Sequence, residues 1–179
     1  MKKLTIIFAL ILITLGSGLS AQGRFQSSER FGGALNLGVG IGGYSGYYGN
    51  IGHTLPILNV NYELGILQNF TVAPFLTLYS YTDGNYNALV TPIGVKGTYY
   101  FDQLLHAGPH WDFYAAGSLG IALVTTTWNA NYTGSKNYYT SANPLYIDFH
   151  VGSEFHISNT VGLFLDLSTG VSTIGISLH

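Results

Sequence analysis

The residues best suited to chemistry in this sequence are those of His156-Ile157-Ser158-Asn159. In an extended strand, a histidine and a serine two positions apart share one face, so His156 could take the proton of the Ser158 hydroxyl. Asp166 follows as an acid of the kind that orients such a histidine. Ser158 and Asn159, however, read as a turn, and Asp166 is expected inside the next strand, away from that turn. The spacing therefore predicts no working hydrolytic site, and we expect the chain not to be an enzyme.

A second set of polar side chains falls on the strand positions that otherwise carry small residues. Asp148 and His150 are two positions apart and could form a polar pair, but no third residue follows at a spacing typical of metal ligands. We therefore expect no metal site and no cofactor. We expect a polar network inside the fold that consists of Glu63, Lys96, Asp148, His150, Glu154 and Asp166.

Four of these residues fall at similar depths when positions are counted from the predicted strand ends: Glu63, Lys96, Glu154 and Asp166. One ammonium group cannot neutralise three carboxylates, and an isolated buried carboxylate is costly. We expect Lys96 to pair with Glu63 or Glu154, while tyrosine, serine, asparagine or water meets the other acids. Such a network would plug the interior.

The stretch 143–157, NPLYIDFHVGSEFHI, shows which kind of element carries these side chains. Alternate positions are apolar from Leu145 to Ile157, broken only by Ser153, and the polar residues occupy the positions between them. A period of two is that of a β-strand. The rest of the chain repeats this pattern between turn residues. The eight predicted strands are about 32–44, 55–67, 70–81, 89–101, 111–126, 143–157, 160–168 and 171–179.

Composition decides which face of these strands is outside. Only 8% of the 179 residues are charged, against about 25% in typical soluble proteins, and 47% are hydrophobic. The polar face is rich in Gly, Ala, Ser, Thr and Asn, which fit the crowded interior of a narrow barrel, and the apolar face fits lipid. We therefore predict an all-β fold, an eight-stranded antiparallel up-and-down transmembrane β-barrel.

Charge, cysteine content and the first residues narrow the functional class. The chain has 6 Lys and Arg against 8 Asp and Glu, so we expect no nucleic-acid partner. Without cysteine it has neither a disulfide framework nor a thiol nucleophile. Residues 1–21 combine a basic start, a short apolar core and small residues before a plausible cleavage point, which is the pattern of a secretory signal peptide. Residues 22–179 then form the outer-membrane β-barrel domain.

Connection lengths predict how the barrel is oriented. The connections after the second and sixth strands are the short turns Gln68-Asn69 and Ser158-Asn159. Short turns are typical of the periplasmic side, and an even number of strands places both termini there. The opposite connections, at about 45–54, 82–88, 127–142 and 169–170, are then extracellular.

The alternation also predicts which substitutions the strands tolerate. A charge at Val151 or Leu163 would point into hydrocarbon and is expected to cost about 2 to 4 kcal/mol, whereas Gly152→Ser is expected to be nearly silent. Pro74 and Pro92 have no N–H for the ladder, so each predicts a bulge or a local gap in pairing.

The segment 99–120, YYFDQLLHAGPHWDFYAAGSLG, reads as a strand, an inner turn and a Gly-rich strand. With these features the chain resembles the small eight-stranded outer-membrane β-barrel proteins of Bacteroidetes-type bacteria, like the membrane domain of outer membrane protein A and the outer membrane protein X group. The resemblance implies a location in the bacterial cell outer membrane and contact with membrane lipid and lipopolysaccharide. It also implies insertion by the outer-membrane assembly machinery and a monomeric state.

The resemblance implies a non-catalytic outer-membrane protein with a structural or surface-interaction role. A narrow channel or transport path for small or apolar solutes is one alternative, although an eight-stranded interior is only wide enough for side chains. A lipid A deacylase-like enzyme is the other, because His156-Ile157-Ser158-Asn159 is similar to the His-x-Ser-Asn motif of those eight-stranded outer-membrane enzymes. Such a site must face the outer leaflet, whereas the turn lengths place this motif at the inner end.

Overall fold

The computed structural model describes residues 33–42, 57–83, 86–101, 105, 108–134 and 145–179. The predicted signal peptide at 1–21, the predicted loop at 45–54 and part of the predicted loop at 127–142 lie outside the described residues. Within the described ranges, no helix is long and apolar enough to cross a membrane.

Strands make up nearly all the described regular structure and form one antiparallel sheet that closes on itself. They are β1 (Leu35–Gly42), β2 (Ile57–Tyr62), β3 (Leu64–Leu67), β4 (Phe70–Asp83), β5 (Tyr86–Tyr100), β6 (Trp111–Trp128), β7 (Leu145–Ser158), β8 (Val161–Ser168) and β9 (Val171–Leu178). β2 and β3 pair with β4 in one register from Leu58 to Gly65, so together they are a single barrel strand, interrupted at Glu63 and with a register shift between Gly65 and Leu67. β1 pairs with β9 along its whole length and closes the ring. The predicted closed, eight-stranded antiparallel barrel is confirmed.

The two ends of the barrel are distinguished by their turns. We call the end with the turns Gln68–Asn69 and Asn159–Thr160 the inner end, and the end with the turn Thr169–Gly170 the outer end. β1 begins and β9 finishes at the inner end, which the turn lengths predict to be periplasmic.

The predicted alternation of faces holds around the barrel. Leu119, Phe149 and Val151 point outward and are 59%, 66% and 61% exposed, while Ser118 and Asp148 point inward and are buried. The outward faces together form a broad, exposed apolar surface. In water such a surface would drive aggregation, whereas in a bilayer it meets hydrocarbon.

Strand bounds depart from the prediction mainly at the outer end of β4, β5 and β6. The predicted loop 82–88 is shorter in the structure, because Asp83 pairs with Tyr86 and the β4–β5 ladder runs to the end of the hairpin. β6 also continues to Trp128, which pairs with Tyr86. These three strands therefore reach further outward than the alternation alone predicted.

The two prolines within strands affect the β4–β5 ladder differently. Pro74 pairs with Val95 in an unbroken register, and the predicted local gap lies on its other side, where the ladder to β2 and β3 lacks pairs at Tyr62 and Glu63. Near Pro92 the ladder lacks pairs at Thr77 and Leu78 and then resumes in the same register. Because proline has no N–H to donate, Pro92 produces a local gap without a shift.

Inward glycines make room for aromatic rings on the neighbouring strand. Tyr114 faces Gly152 across β6 and β7, and a Cβ on Gly152 would lie 2.2 Å from Cζ of the Tyr114 ring. Phe164 covers Gly175 in the same way, with a Cβ position 2.7 Å from its Cε1. Large rings thus fill space that the glycines leave free. The expectation that Gly152→Ser is silent is wrong, because the new side chain would collide with Tyr114.

Val151→Lys is expected to lower the free energy of unfolding by about 2 to 4 kcal/mol, because it places an ammonium group in the hydrocarbon. Val151→Leu keeps the apolar surface and is the matched control, expected to be nearly neutral. Urea unfolding in lipid vesicles measures both changes. Equal stability of the two variants would contradict the assignment of this face to lipid.

Gly152→Ala is expected to destabilise the barrel by about 1 to 3 kcal/mol, the usual cost of overpacking a filled interior. Gly117→Ala is the control, because a Cβ there meets nothing within 4 Å and the residue is exposed. The same unfolding measurement compares them. If the two variants are equally stable, the Tyr114 ring is not held over Gly152.

Candidate functional site in the lumen

The predicted polar residues all lie on the inward face. Of these, Glu63, Lys96, Asp148, Glu154 and Asp166 are buried, and His150 is half-buried. They do not form one layer but are divided among separate groups along the barrel, each with its own hydrogen-bond partners.

The middle group is centred on Asp166. The ammonium group of Lys96 pairs with Asp166 Oδ2, and both side chains are buried. His150 Nδ1 lies 2.7 Å from Asp166 Oδ1, and the Tyr114 hydroxyl donates to Asp166 Oδ2 at 3.1 Å. The ammonium also lies 5.0 Å from the centre of the Tyr114 ring, within the range of a cation–π contact. The other ring nitrogen of His150 lies 2.8 Å from Ser118 Oγ. This group occupies the centre of the lumen.

The expected pairing of Lys96 with Glu63 or Glu154 is wrong. Lys96 is on β5 and reaches across the lumen to Asp166 on β8. The prediction assumed that residues the same number of positions from their strand ends lie at the same height in the barrel. The strands of a closed barrel are tilted and staggered, so equal counts on different strands lie at different heights.

Glu63 is satisfied by neutral donors in the group next to it. Asn36 Nδ2 donates to its carboxylate at 2.9 Å, Thr71 Oγ1 at 2.7 Å and the Tyr100 hydroxyl at 2.6 Å. The backbone of Glu63 bonds the residue before β1, with its N–H donating to Ala34 O at 2.8 Å. Hydrogen bonds to a carboxylate are stronger than neutral ones, so three of them can hold a buried charge without a cation.

Asp148 closes the turn between β8 and β9 at the outer end. Its Oδ1 accepts hydrogen bonds from the Thr169 hydroxyl at 2.6 Å and the Gly170 N–H at 2.7 Å. Its Oδ2 accepts one from the Tyr146 hydroxyl at 2.9 Å. The nearest His150 nitrogen is 3.7 Å from Asp148 Oδ2. The predicted Asp148–His150 pair is therefore a looser contact than the bonds of Asp148 to the turn.

A further group lies at the inner end, and we call Asp112, Glu154, His156 and His179 the inner-rim cluster. His179 Nε2 is 2.7 Å from Glu154 Oε1, and His156 Nε2 is 2.8 Å from Asp112 Oδ2. His156 Nδ1 is 4.0 Å from Glu154 Oε1. The carboxylates are buried, while the two imidazoles keep 22–23% of their surface exposed. His179 follows the last strand, and its hydrogen bond to Glu154 raises the pKa of its imidazole against the opposing effect of partial burial.

Asp112 and His179 were absent from the predicted network. Asp112 is buried at the start of β6, and His179 shares its parity with the buried Ser177 of β9. Both positions are inward and close to the inner end. Parity combined with distance from that end would have grouped them with Glu154 and His156.

The three residues of the hydrolase motif are engaged separately. The imidazole of His156 bonds Asp112, and Ser158 Oγ accepts the Val161 N–H of the inner turn at 3.1 Å. Asp166 bonds Lys96 and lies in the middle group. The structure thus gives each residue a partner outside the motif.

Apolar side chains fill the lumen nearer the outer end. They are Ile57, Tyr79, Val90, Ala122 and Val171. A cavity of about 20 Å³ is lined by Val171 of this layer and by polar residues that include Asn61, Thr77, Lys96 and Asp166. One water needs about 10–15 Å³. This cavity therefore has space for about one water.

No family model and no curated protein matches this chain. Among solved structures it is similar to Neisserial surface protein A, with a TM-score of 0.50 and 14% sequence identity over 81% of this chain and 94% of that one. It is also similar to a de novo designed transmembrane β-barrel, with a TM-score of 0.47 and 11% identity over 84% of this chain and 98% of that one. A third similar structure is the outer membrane protein Ail of Yersinia pestis, with a TM-score of 0.46 and 10% identity over 82% of this chain and 98% of that one. The likeness to Neisserial surface protein A shows the fold, a small transmembrane β-barrel.

Lys96→Met is expected to lower the free energy of unfolding by about 3 to 5 kcal/mol near neutral pH, because Asp166 then keeps a buried charge without its ammonium partner. Adding Asp166→Asn is expected to recover most of that loss. Urea unfolding in vesicles measures the free energy of unfolding of the wild-type protein, the two single variants and the double variant, which together form a double-mutant cycle.

The control cycle combines Lys96→Met with Glu63→Gln. Glu63 is held by neutral donors in another group, so these two effects are expected to add. Additive effects of Lys96→Met and Asp166→Asn would contradict the ion pair.

Proposed function

We propose that this chain is a non-catalytic, monomeric, integral protein of the bacterial outer membrane with a structural or surface-interaction role. The observation that carries the proposal is the packed lumen, where separate polar groups and an apolar layer surround a cavity of about 20 Å³. A barrel with a filled interior does not conduct solutes. Its function then falls to the surfaces outside the lumen.

Residence in a membrane is supported by the outward faces and by aromatic rings near the inner end. Trp111 is 44% exposed and Phe155 is 37% exposed, and their ring centres are 4.9 Å apart. Phe113 stacks against Trp111 on the other side, with ring centres 5.9 Å apart. Amphipathic rings of this kind anchor a barrel at the boundary between hydrocarbon and headgroups.

Surface interaction is supported by the outer part of β4, β5 and β6. The outward residues of β6 change from apolar, as at Leu123, to the exposed hydroxyls of Thr125 and Thr127. Trp128 then stacks on Tyr132, with ring centres 4.9 Å apart. A polar sheet with aromatic rings above the apolar band is a rigid platform for contact with a partner or with lipid headgroups.

The proposal implies specific surroundings for the barrel. Membrane lipid and lipopolysaccharide cover the outward apolar faces, and the outer-membrane assembly machinery inserts the chain. The balance of 6 basic against 8 acidic residues gives no surface for nucleic acid.

The test of the proposal measures location and conductance together. The wild-type protein is expected to fractionate with the outer membrane, to migrate differently on gels before and after heating, and to give no single-channel conductance in planar bilayers. The triple variant Lys96→Ala, Tyr114→Ala, Asp166→Ala is expected to conduct, because it removes the middle group that spans the lumen.

The matched control is Val151→Ala with Leu163→Ala, which removes volume only on the lipid face and is expected to stay closed. Steady conductance of the wild-type protein would replace the proposal with the narrow channel or transport path. A mass shift of lipid A on expression would replace it with the deacylase-like enzyme.

A further inference from the structure

We propose that Glu154, His156 and His179 of the inner-rim cluster bind one divalent transition-metal ion, and that Zn²⁺ is the ion their chemistry favours. The sequence alone led us to expect no metal site. The inference goes beyond the proposed function, because the cluster lies at the inner end of the barrel and takes no part in the outer platform.

The geometry of the three residues is close to that of a metal site. Their ligand atoms, one from each side chain, all lie within 4.8 Å of one another. Bonds of about 2.0–2.2 Å to zinc place neighbouring ligand atoms roughly 3.3 Å apart in a tetrahedral site. Glu154 Oε1 is 2.7 Å from His179 Nε2 and 4.0 Å from His156 Nδ1. Shifts of less than an ångström in these two distances, and of up to about 1.5 Å between the two imidazole nitrogens, would therefore accommodate the ion.

The strands bring the three ligands together by way of a glycine. Glu154 and His156 are two positions apart on β7 and share the inward face, while His179 follows β9. β8 lies between them, and its Gly162 pairs with both His156 and Ser177. The Glu154 carboxylate passes directly over Gly162, where a Cβ would lie 2.0 Å from Oε1. Only glycine at this position lets Glu154 reach His179.

Asp112 and the backbone hold two of the ligands in position. The hydrogen bond of His156 Nε2 to Asp112 Oδ2, at 2.8 Å, leaves Nδ1 as the nitrogen on the Glu154 side. A carboxylate bonded to the far nitrogen of a ligating histidine is the usual second-sphere arrangement at zinc. The backbone N–H of His179 donates to Thr160 O at 3.1 Å, which ties its backbone to the inner turn. The imidazole of His156 and the backbone of His179 are thus held in place.

Charge and ligand type favour a divalent ion over a proton network alone. Glu154 is buried, and it pairs with His156 and His179. A divalent cation would neutralise its carboxylate. Two imidazoles with one carboxylate suit Zn²⁺ and neighbouring transition ions, whereas Mg²⁺ and Ca²⁺ prefer sites made of oxygen ligands. The partly exposed imidazoles give the ion a route from solvent and leave one position for water.

The test is calorimetric titration of the folded, metal-free barrel in detergent with ZnCl₂ at neutral pH. One Zn²⁺ per chain is expected to bind. Glu154→Gln, His156→Gln and His179→Gln are each expected to weaken binding at least about tenfold, and Asp112→Asn by about 10- to 100-fold. MgCl₂ is expected to give no saturable binding.

His110→Gln is the matched control, because His110 is an exposed histidine at the same end whose ring lies against Phe155 and away from the cluster. It is expected to keep the wild-type affinity. Glu154 and Asp112 are buried, so each variant is first shown to be folded by heat-modifiable migration. His179→Gln lies beyond β9 and leaves every strand intact.

A second readout is the stability of the folded barrel. Zn²⁺ is expected to raise the urea midpoint of the wild-type protein and of His110→Gln, but not that of His179→Gln, because only a site in the folded state gains from the ion. The visible absorption of bound Co²⁺ is a further measure of the loss of metal binding that is expected in His179→Gln. The proposal is overturned if wild-type protein binds no Zn²⁺, or if His179→Gln and His156→Gln bind it as tightly as wild type does.

Discussion

The β1–β9 ladder closes the sheet, and closure is the constraint on which the rest of the structure depends. A closed ring of eight strands leaves no open sheet edge but encloses a space only one or two side chains wide. Each inward residue must therefore fit against the residues opposite as well as its neighbours. The Tyr114 ring over Gly152 and the Phe164 ring over Gly175 are direct consequences, since a ring on one strand takes the space of a missing side chain on the next.

Closure also decides how the buried charges are met, and the barrel uses a different solution at each height. Asp166 takes an ammonium, Glu63 takes three neutral donors, and Asp148 takes the hydroxyl and N–H groups of a tight turn. A low-dielectric interior makes each solution strong when complete and costly when broken. The polar groups thus fix which side chains face each other inside the barrel, whereas the outward face of the sheet is almost uniformly apolar.

Much of the fold could be predicted from the sequence because a period of two needs no knowledge of partners. Alternation at 143–157 placed Phe149 and Val151 outside and Asp148 and Glu154 inside, as the structure has them. Partners across the lumen depend on the stagger between strands, which local pattern does not contain. For that reason Lys96 was assigned the wrong carboxylate.

The sequence pattern also does not reveal contacts that a glycine or a terminal residue makes with side chains from other strands. Gly152 was read as an inert small residue, because nothing in a sequence shows that a ring from β6 lies over it. His179 stood beyond the last apolar position of β9, where alternation gives little weight to a single polar residue. Its hydrogen bond to Glu154 is possible only because the strand between them, β8, has a glycine, Gly162, where the Glu154 side chain crosses.

The unequal heights of the wall have a consequence for the lipid around it. β8 ends at Ser168, which the ladders connect through His150 to Ala116 of β6, yet β6 itself continues to Trp128. The 8 residues of β8, at about 3.3 Å each and tilted by roughly 40°, cover about 20 Å of bilayer, less than the usual apolar band of about 25 Å. The hydrophobic thickness of the protein is therefore smaller beside the β8–β9 hairpin than beside β5 and β6. Acyl chains next to that hairpin must compress or tilt to match it, so the barrel imposes a thin sector on one side of its annulus of lipid.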